Sequence, residues 1–543
     1  MRLNGSELVM EILLEHDVDT VFGYPGGAAL NIYDALYKYS DKINHVMTAH
    51  EQGASHAADG YARSTGKTGV VIATSGPGAT NLITALATAY ADSIPIVAIS
   101  GQVSSDLLGR DVFQEADMRG ATESFVKHSY LVKDADDIPR VFREAFYIAS
   151  TGRKGPVLID IPMDVQKREM RKPFEYPDAV HIRGYKPEVR VNMNQMRRVV
   201  SALNQAKKPL VCAGGGVILG GGQQIVREFC EKYNIPMVHT MMGMGVIPKK
   251  HPLNFGMLGN NGKPYANKAV GRADLLLIVG ARLADRAIPK PENLEKRVAV
   301  IHIDIDTAEI GKNMGPNIPL VGDVKDVFSI LIEQDIHAAD KSWAGELEEI
   351  KRGTVDRRSF DESAVNPNTL VQTLSAKMND DAVYVADVGQ NQLWSADNYV
   401  MKEGRFLTTG GMGTMGYSIP AAIGAKFYAP ERQTVAVCGD GAFQMCMNEL
   451  ATVRENDLDV KVLIVRNGYL GLVREYQEKN YDSHYEGVKL GCWPQYDKIA
   501  AAYDMPYFYC SSNEELDAEL DRFLGSDGAS LMVCDISSEN NVN

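Results

Sequence analysis

At 543 residues the chain is too long for a single hydrophobic core, and about three domains are expected. Its 23% charged and 45% hydrophobic residues are ordinary for a globular protein, while a formal net charge of −14 argues against a nucleic acid or an anionic membrane as partner. Seven cysteines (Cys212, Cys230, Cys438, Cys446, Cys492, Cys510 and Cys534) form no C-x-x-C pair, which argues against a zinc site or disulfide framework and for reduced thiols in a cytoplasmic protein.

The opening MRLNGSELVMEILLEHDVDTVFG sets acids inside its apolar periodicity, so no signal-type core is expected. No charge-free run of about 18 apolar residues follows, and no membrane span is expected. Short β-branched runs then alternate with helical patterns in three blocks, which predicts an α/β protein of three doubly wound parallel-sheet domains. The first block spans 1–170 and closes on GPVLIDIP. The polar, weakly periodic KREMRKPFEYPDAVHIRGYKPEVRV reads as a linker. The second, 190–335, holds the helical MNQMRRVVSALNQA and the strand-like KPLVCAGGG, DLLLIVGARLADR and VAVIHIDIDTAEIG. The charged KSWAGELEEIKRGTVDRRSFDES leads into the third, 366–543.

The outer blocks echo each other. GPGATNLITALATAYADSIPIVAI from Gly76 and GDGAFQMCMNELATVRENDLDVKVLI from Gly439 align Leu86-Ala87-Thr88 on Leu450-Ala451-Thr452 with one residue inserted. Such fixed-order similarity suggests two copies of one supersecondary unit. Each copy has Gly-x-Gly between strand and helix, where backbone N–H groups can face a ligand.

In VAVCGDGAF, Asp440 stands where a strand runs into the interior. An unpartnered buried carboxylate costs several kcal/mol, so a positive group is expected to meet it. One helix and one strand separate Asp440 from Asn467 in LIVRNGYLGL, which lets both sit at the ligand-binding edge of a parallel sheet. Asp440, the Asn467 amide oxygen and the Tyr469 carbonyl would be three hard oxygen ligands for Mg²⁺ or Ca²⁺, with phosphate completing an Mg²⁺ octahedron. Gly439 and Gly441 let a bulky anion approach. Taken alone, Asp440 also reads as a helix cap in a tight turn.

GDG followed by Asn467 resembles the thiamine-diphosphate fingerprint of the pyruvate decarboxylase and acetohydroxyacid synthase superfamily. The resemblance implies that Asp440, Asn467 and Tyr469 hold Mg²⁺ on the cofactor diphosphate, with Ala442, Gly471 and Leu472 beside it. In HEQGASHAADGYARSTGK, Glu51 starts a small-residue helix and by itself reads as a cap or dipole partner. By resemblance it is the glutamate that bonds to the aminopyrimidine and drives proton removal from the thiazolium, while the cofactor supplies the carbanion chemistry. In VFGYPGGAALNIYDAL, Gly26-Gly27 lie on a turn whose N–H groups can approach reacting oxygens, and the resemblance implies Pro25 at the cofactor; a plain left-handed turn is the alternative. VADVGQNQLW implies diphosphate contacts from Gly389, Gln390 and Asn391, and TTGGMGTMGYSIPAAIGA implies a bent cofactor over Gly413 and Met415.

Further segments resemble biosynthetic acetohydroxyacid synthases. GRDVFQEADMRGATESFVKHSYLV carries Phe113, Gln114 and Lys127 at that family's active-site positions. The middle block resembles its FAD-binding domain, which implies flavin contacts from Arg153, Asn261, Gly262, Arg282, Asp285, Asp304, Ile305, Asp323 and Val324. Arg286 matches an arginine that receives a 2-oxo acid carboxylate, for which its planar fork is suited. Several positions depart from the family pattern: Asn391 for histidine, Ala442 for serine, Arg466 for asparagine, Leu283 and Ala284 for Phe and Asp, Arg110 for threonine in the substrate channel, and Tyr476 for a tryptophan that favours 2-oxobutyrate.

The resemblance implies decarboxylation of pyruvate and condensation of the two-carbon unit with a second 2-oxo acid, giving acetohydroxyacids for branched-chain amino acid synthesis. It further implies thiamine diphosphate, Mg²⁺ and FAD as cofactors, a homodimer or tetramer with the active site shared between subunits, and a small regulatory subunit. The alternatives are a related thiamine-dependent decarboxylase or a carboligase using an aldehyde or keto-sugar acceptor, a flavin-using oxidase, and a non-catalytic flavoprotein scaffold.

Overall fold

The computed structural model describes residues 3–171, 173–187, 189–354, 360–361, 363–491 and 494–542. Cys492 lies outside the described residues, as does part of the charged stretch before the third block (355–359 and 362). The other six cysteines are buried free thiols.

Among the described residues the strands form three six-stranded sheets with parallel pairing throughout. The first holds β1 (Thr20–Tyr24), β2 (Asn44–Met47), β3 (Gly69–Ala73), β4 (Ile96–Gln102), β5 (His128–Leu131) and β6 (Val157–Pro162), ordered β2-β1-β3-β4-β6-β5. The second holds β7 (Pro209–Ala213), β8 (Met237–His239), β9 (Asn254–Met257), β10 (Leu275–Val279), β11 (Ala299–Asp304) and β12 (Ile318–Val321), ordered β12-β11-β10-β7-β8-β9. The third holds β13 (Val383–Ala386), β14 (Arg405–Leu407), β15 (Thr434–Gly439), β16 (Val460–Arg466), β17 (Tyr507–Cys510) and β18 (Ser530–Asp535), ordered β14-β13-β15-β16-β18-β17. Central strands such as GVVIA, LLLIV and TVAVCG run almost wholly apolar because helices cover both faces.

Numbered within each domain, the first and third sheets share the order 2-1-3-4-6-5. The echoed segments both follow the third strand of their sheet, so the internal similarity falls on equivalent elements. The middle sheet reads 3-2-1-4-5-6, the doubly wound order whose switch point, here between β7 and β10, receives dinucleotides.

Two corresponding helices, each following the second strand of its sheet, join the outer domains within one chain. The helix Glu51–Thr65 lies against Ser418–Tyr428 with backbones nearly touching. A Cβ on Gly60 would stand 2.1 Å from the Ala421 carbonyl oxygen, and one on Gly424 1.8 Å from that of Ala57. Glycine is needed at both positions because nothing larger fits. A buried ionic knot reinforces the joint: Arg63 pairs with Asp59 (2.5 Å) and Asp92 (2.9 Å) and donates to the Thr408 carbonyl (3.1 Å). Tyr417 donates to Asp59 at 2.7 Å, and Asp92 accepts the N–H groups of Gly410 and Gly411.

Two connections differ from their sequence reading. The stretch read as a linker lays Phe174, Tyr176, Ile182 and Tyr185 on the core of the first domain. Aromatic anchors in irregular backbone leave no periodic signature, so the pattern missed them. The helix Lys341–Arg352 belongs to the middle domain, not to the approach to the third: Trp343 is buried there and donates its indole N–H to the Pro209 carbonyl. No helix of the described residues is long and apolar enough to cross a membrane.

Candidate active site

Asp440 directly follows the C-terminal end of β15, and Asn467 follows β16, its neighbour in the sheet. Asp440 is only 3% exposed. Its two carboxylate oxygens accept the N–H groups of Gly441 (3.0 Å) and Gly468 (2.7 Å). Burial lifts its pKa to about 6, against the opposing pull of these backbone donors. Among the described residues no lysine or arginine forms an ion pair with it. Asn467 turns Nδ2 to Gln390 Oε1 (2.8 Å), while its Oδ1 accepts the Tyr469 N–H (3.0 Å). Around them lie Gly439, Gly441, Met415, Leu470 and Gly471. No group of three or more His, Cys, Asp or Glu side chains suited to a metal occurs among the described residues; Asp440, Asn467 and the Tyr469 carbonyl are a different set, with one carboxylate.

In the first domain, Glu51 opens its helix half-buried after the His50 cap. Its Oε2 accepts from Asn81 Nδ2 at 3.0 Å, and its Oε1 lies beside Gly78. Pro25, Gly26 and Gly27 follow β1, and Gly76 and Gly78 follow β3, so this group sits at the switch point of the first sheet. Gly26 is extended, not left-handed, so the plain-turn alternative does not describe it. A Cβ on Gly27 would meet nothing within 4 Å.

A cavity of about 1230 Å³ opens among the three domains. Its walls include Arg153, Asn261, Gly262, Arg282, Asp304, Ile305, Asp323 and Val324, together with Gly215, Gly216 and Gly280 at the β7/β10 switch point. Burial raises the Asp304 carboxyl to about 6. Gly413, Leu472, Arg286 and Tyr476 reach the same cavity from the third domain and the rim. Glu51, Asp440 and Asn467 do not line it.

Other expected positions are placed differently. Asp285 is 82% exposed and outside the cavity, where it faces Arg286 (78% exposed) at 3.8 Å. Arg153 is already held by Asp306 (3.2 Å) and Glu309 (2.6 Å), so its charge is balanced within the chain. Lys127 is committed within the first domain: its ammonium caps the helix Ile138–Ser150 through the carbonyls of Ile148 and Thr151 (2.9 Å) and the Tyr185 hydroxyl (3.0 Å). Burial lowers its pKa to about 8, and helix-end carbonyls offer the charge its best local partners. Arg110 and Phe113 are exposed on the loop after β4, Phe113 at 87%, and Gln114 packs beside Gly76.

The Gln390 side chain is committed at both ends, to Asn467 and to Glu475 and the Asn540 carbonyl, so it does not offer a free donor to a diphosphate. The Asn391 amide N–H₂ is likewise bound to the carbonyls of Asp387 and Val437. Gly389 precedes the helix Gln390–Asn398 with φ 149°, a backbone region that residues with side chains rarely adopt. Ala442 is buried in the helix Asp440–Cys446. Arg466, in place of the family asparagine, forms a fork with Asp535 (2.5 and 2.6 Å) over which Tyr496 and Tyr509 lie.

Sequence reasoning passed over four supporting residues. Asn81 bonds Glu51. Asp387 accepts the N–H groups of Val388, Gly416 and Ser418 and so shapes the loop carrying Gly413 and Met415. Glu449 reaches the N-terminus of the Glu51 helix, and Glu475 holds Gln390. Asp387 carries the same signal as Asp440, an acid at the end of an apolar strand; the others have no signal without tertiary contacts.

Residues 3–121 match the thiamine pyrophosphate enzyme N-terminal TPP binding domain, 196–331 the central domain and 387–534 the C-terminal TPP binding domain. The chain is 43% identical over 501 residues to the acetolactate synthase large subunit of Corynebacterium glutamicum, covering 90% of this chain and 79% of that one. It is 42% identical over 516 residues to the acetolactate synthase of Arthrospira platensis, covering 93% and 89%. To the acetolactate synthase large subunit of Buchnera aphidicola subsp. Schizaphis graminum it is 40% identical over 526 residues, covering 95% and 91%.

Proposed function

The chain belongs to the thiamine pyrophosphate enzymes of the acetolactate synthase family, and from that membership we propose that it decarboxylates pyruvate and joins the two-carbon unit to a second 2-oxo acid. The observation that carries the reading is Asp440, a buried carboxylate without a cationic partner among the described residues, beside an amide oxygen at a sheet edge. Bound thiamine diphosphate supplies the carbanion chemistry of decarboxylation and carbon–carbon bond formation.

The residues present fit that group. Asp440, Asn467 Oδ1 and the Tyr469 carbonyl would hold Mg²⁺, whose remaining positions suit phosphate and water. Glu51 would exchange a proton with the pyrimidine ring nitrogen through Oε1, because Asn81 occupies Oε2 and fixes the carboxylate plane. Asp387 holds the loop of Gly413 and Met415 against which the cofactor would rest. A Cβ on Gly27 would meet nothing within 4 Å, so a substrate has room to approach this turn, where the Gly27 N–H would meet a reacting oxygen.

The cavity at the switch point of the middle sheet suits FAD in size and lining, with Arg282 and Asp304 among the polar groups that would orient it. Arg286 and Tyr476 at its rim would receive the acceptor 2-oxo acid. Glu51 and Asp440 lie outside this cavity, and large apolar side chains, among them Leu30, Phe113, Met412 and Met445, are exposed. Both observations support a homodimer in which each site draws on two subunits. The name "large subunit" carried by relatives supports a small regulatory partner, and the cytoplasm is the proposed compartment. The test is incubation of purified protein with pyruvate, Mg²⁺ and thiamine diphosphate, with product identification by mass. Acetolactate is expected; carbon dioxide release with only acetaldehyde would make the chain a decarboxylase instead.

A further inference from the structure

We infer that Glu475 and Gln390 are positioning residues that decide which end of the Asn467 amide faces the divalent cation. An amide has one accepting and one donating end, and its neighbours determine which way it lies. Gln390 is buried, and its Nε2 donates to Glu475 Oε1 at 2.6 Å and to the Asn540 carbonyl at 3.1 Å. Both partners only accept, so Gln390 Oε1 must point the other way. There it accepts from Asn467 Nδ2 at 2.8 Å. Asn467 Oδ1 in turn accepts the Tyr469 N–H at 3.0 Å and keeps a second lone pair. Turning this amide over would set its N–H₂ against the Tyr469 N–H and its oxygen against Gln390 Oε1, two repulsive contacts in place of two bonds.

The polarity therefore begins at a buried carboxylate. Glu475 also accepts the Val542 N–H at 2.7 Å, and its other oxygen lies 3.7 Å from Lys479 Nζ. Gly471 belongs to the same device: a Cβ there would stand 1.8 Å from Gln390 Oε1. The consequence is chemical, because Mg²⁺ takes oxygen ligands and a reversed Asn467 would offer it nitrogen. Groups behind a ligand that hold its orientation commonly govern metal affinity by 10–100-fold.

The inference rests on the reading of Asp440 and Asn467 as cation ligands, and the experiment separates the two. Mg²⁺ is titrated calorimetrically into metal-free protein saturated with thiamine diphosphate, and acetolactate formation is measured against Mg²⁺ concentration. Glu475→Gln lets either amide end face Gln390. Its Mg²⁺ affinity is expected to fall roughly tenfold or more, with lost turnover recovered by excess Mg²⁺. Glu475→Asp, which still only accepts, should regain most of the affinity. Wild-type Mg²⁺ affinity in Glu475→Gln, or lost turnover that excess Mg²⁺ does not recover, would overturn the relay. Should that variant not fold, Gln390→Met removes the acceptor for Asn467 and must weaken Mg²⁺ binding in the same way, or the relay is wrong. A wild-type protein without thiamine-diphosphate-dependent Mg²⁺ binding would overturn the cation site itself, and the relay with it.

Discussion

Glu449, on the third domain, accepts the backbone N–H of Ala49 at 3.2 Å, two residues before Glu51 on the first. The same carboxylate accepts from Thr452 at 2.7 Å, and a Cβ on Gly53 would stand 2.1 Å from its Oε1. The segment following the Asp440 helix thus holds the entry to the Glu51 helix in the same chain. Glu449→Ala leaves the buried Thr452 hydroxyl and the part-buried Ala49 N–H without their acceptor and should cost roughly 1–3 kcal/mol of stability, read from urea unfolding midpoints. A variant as stable as wild type would show that the contact is not needed to seat the helix.

Glu51→Gln keeps the shape of the side chain and its acceptor for Asn81. Thiamine diphosphate affinity by calorimetry should stay near wild type, while acetolactate formation falls by roughly 10²–10⁴-fold. Near-wild-type turnover would remove Glu51 from proton transfer.

The flavin assignment separates two neighbours. Arg282 lines the central cavity and has no carboxylate partner among the described residues, whereas Asp285 is exposed outside it. Arg282→Ala should weaken FAD retention by about tenfold or more, since a charge-assisted contact is lost. Asp285→Ala should leave it intact. Flavin released from each purified variant and measured by fluorescence decides; equal effects would place the flavin elsewhere.

Tyr476, 57% exposed at the rim of the cavity, predicts weak preference for 2-oxobutyrate over pyruvate as acceptor. Tyr476→Trp should raise that preference, by an amount on the order of 1–3 kcal/mol because one ring's difference in apolar contact is worth no more. A competition assay with both acids measures it, and an already strong 2-oxobutyrate preference in the wild type would count against the assignment.

Asp160, buried on β6, accepts from Ser100 (2.7 Å) and Gln102 (2.9 Å), and burial raises its pKa to about 7. An unfolded aspartate titrates near 3.9, so between the two values the folded state holds the proton and the unfolded state does not. The stabilisation is full below about pH 4 and is lost as pH rises through about 7, by up to a few kcal/mol. Urea midpoints across this range should fall with pH in the wild type and less steeply in Asp160→Asn. Parallel curves would assign the slope to other groups.

The sequence by itself determined the fold class and marked the candidate anchors. Alternating runs specified parallel α/β domains because a strand covered on both faces must be apolar throughout. Gly439-Asp440-Gly441, Asn467 and Glu51 were legible because an acid at the end of an apolar strand, or at the start of a small-residue helix, is locally anomalous. Tertiary structure decided everything that depends on direction and partnership. It turned Lys127 onto a helix end, balanced Arg153 with two acids, and joined Glu449 to Ala49 across 400 residues. It also made Gln390 the holder of Asn467, with Glu475 behind it. Periodicity reports which face of an element is covered, but hydrogen bonds depend on ångström distances between segments remote in the chain. Such distances exist only once the domains have packed.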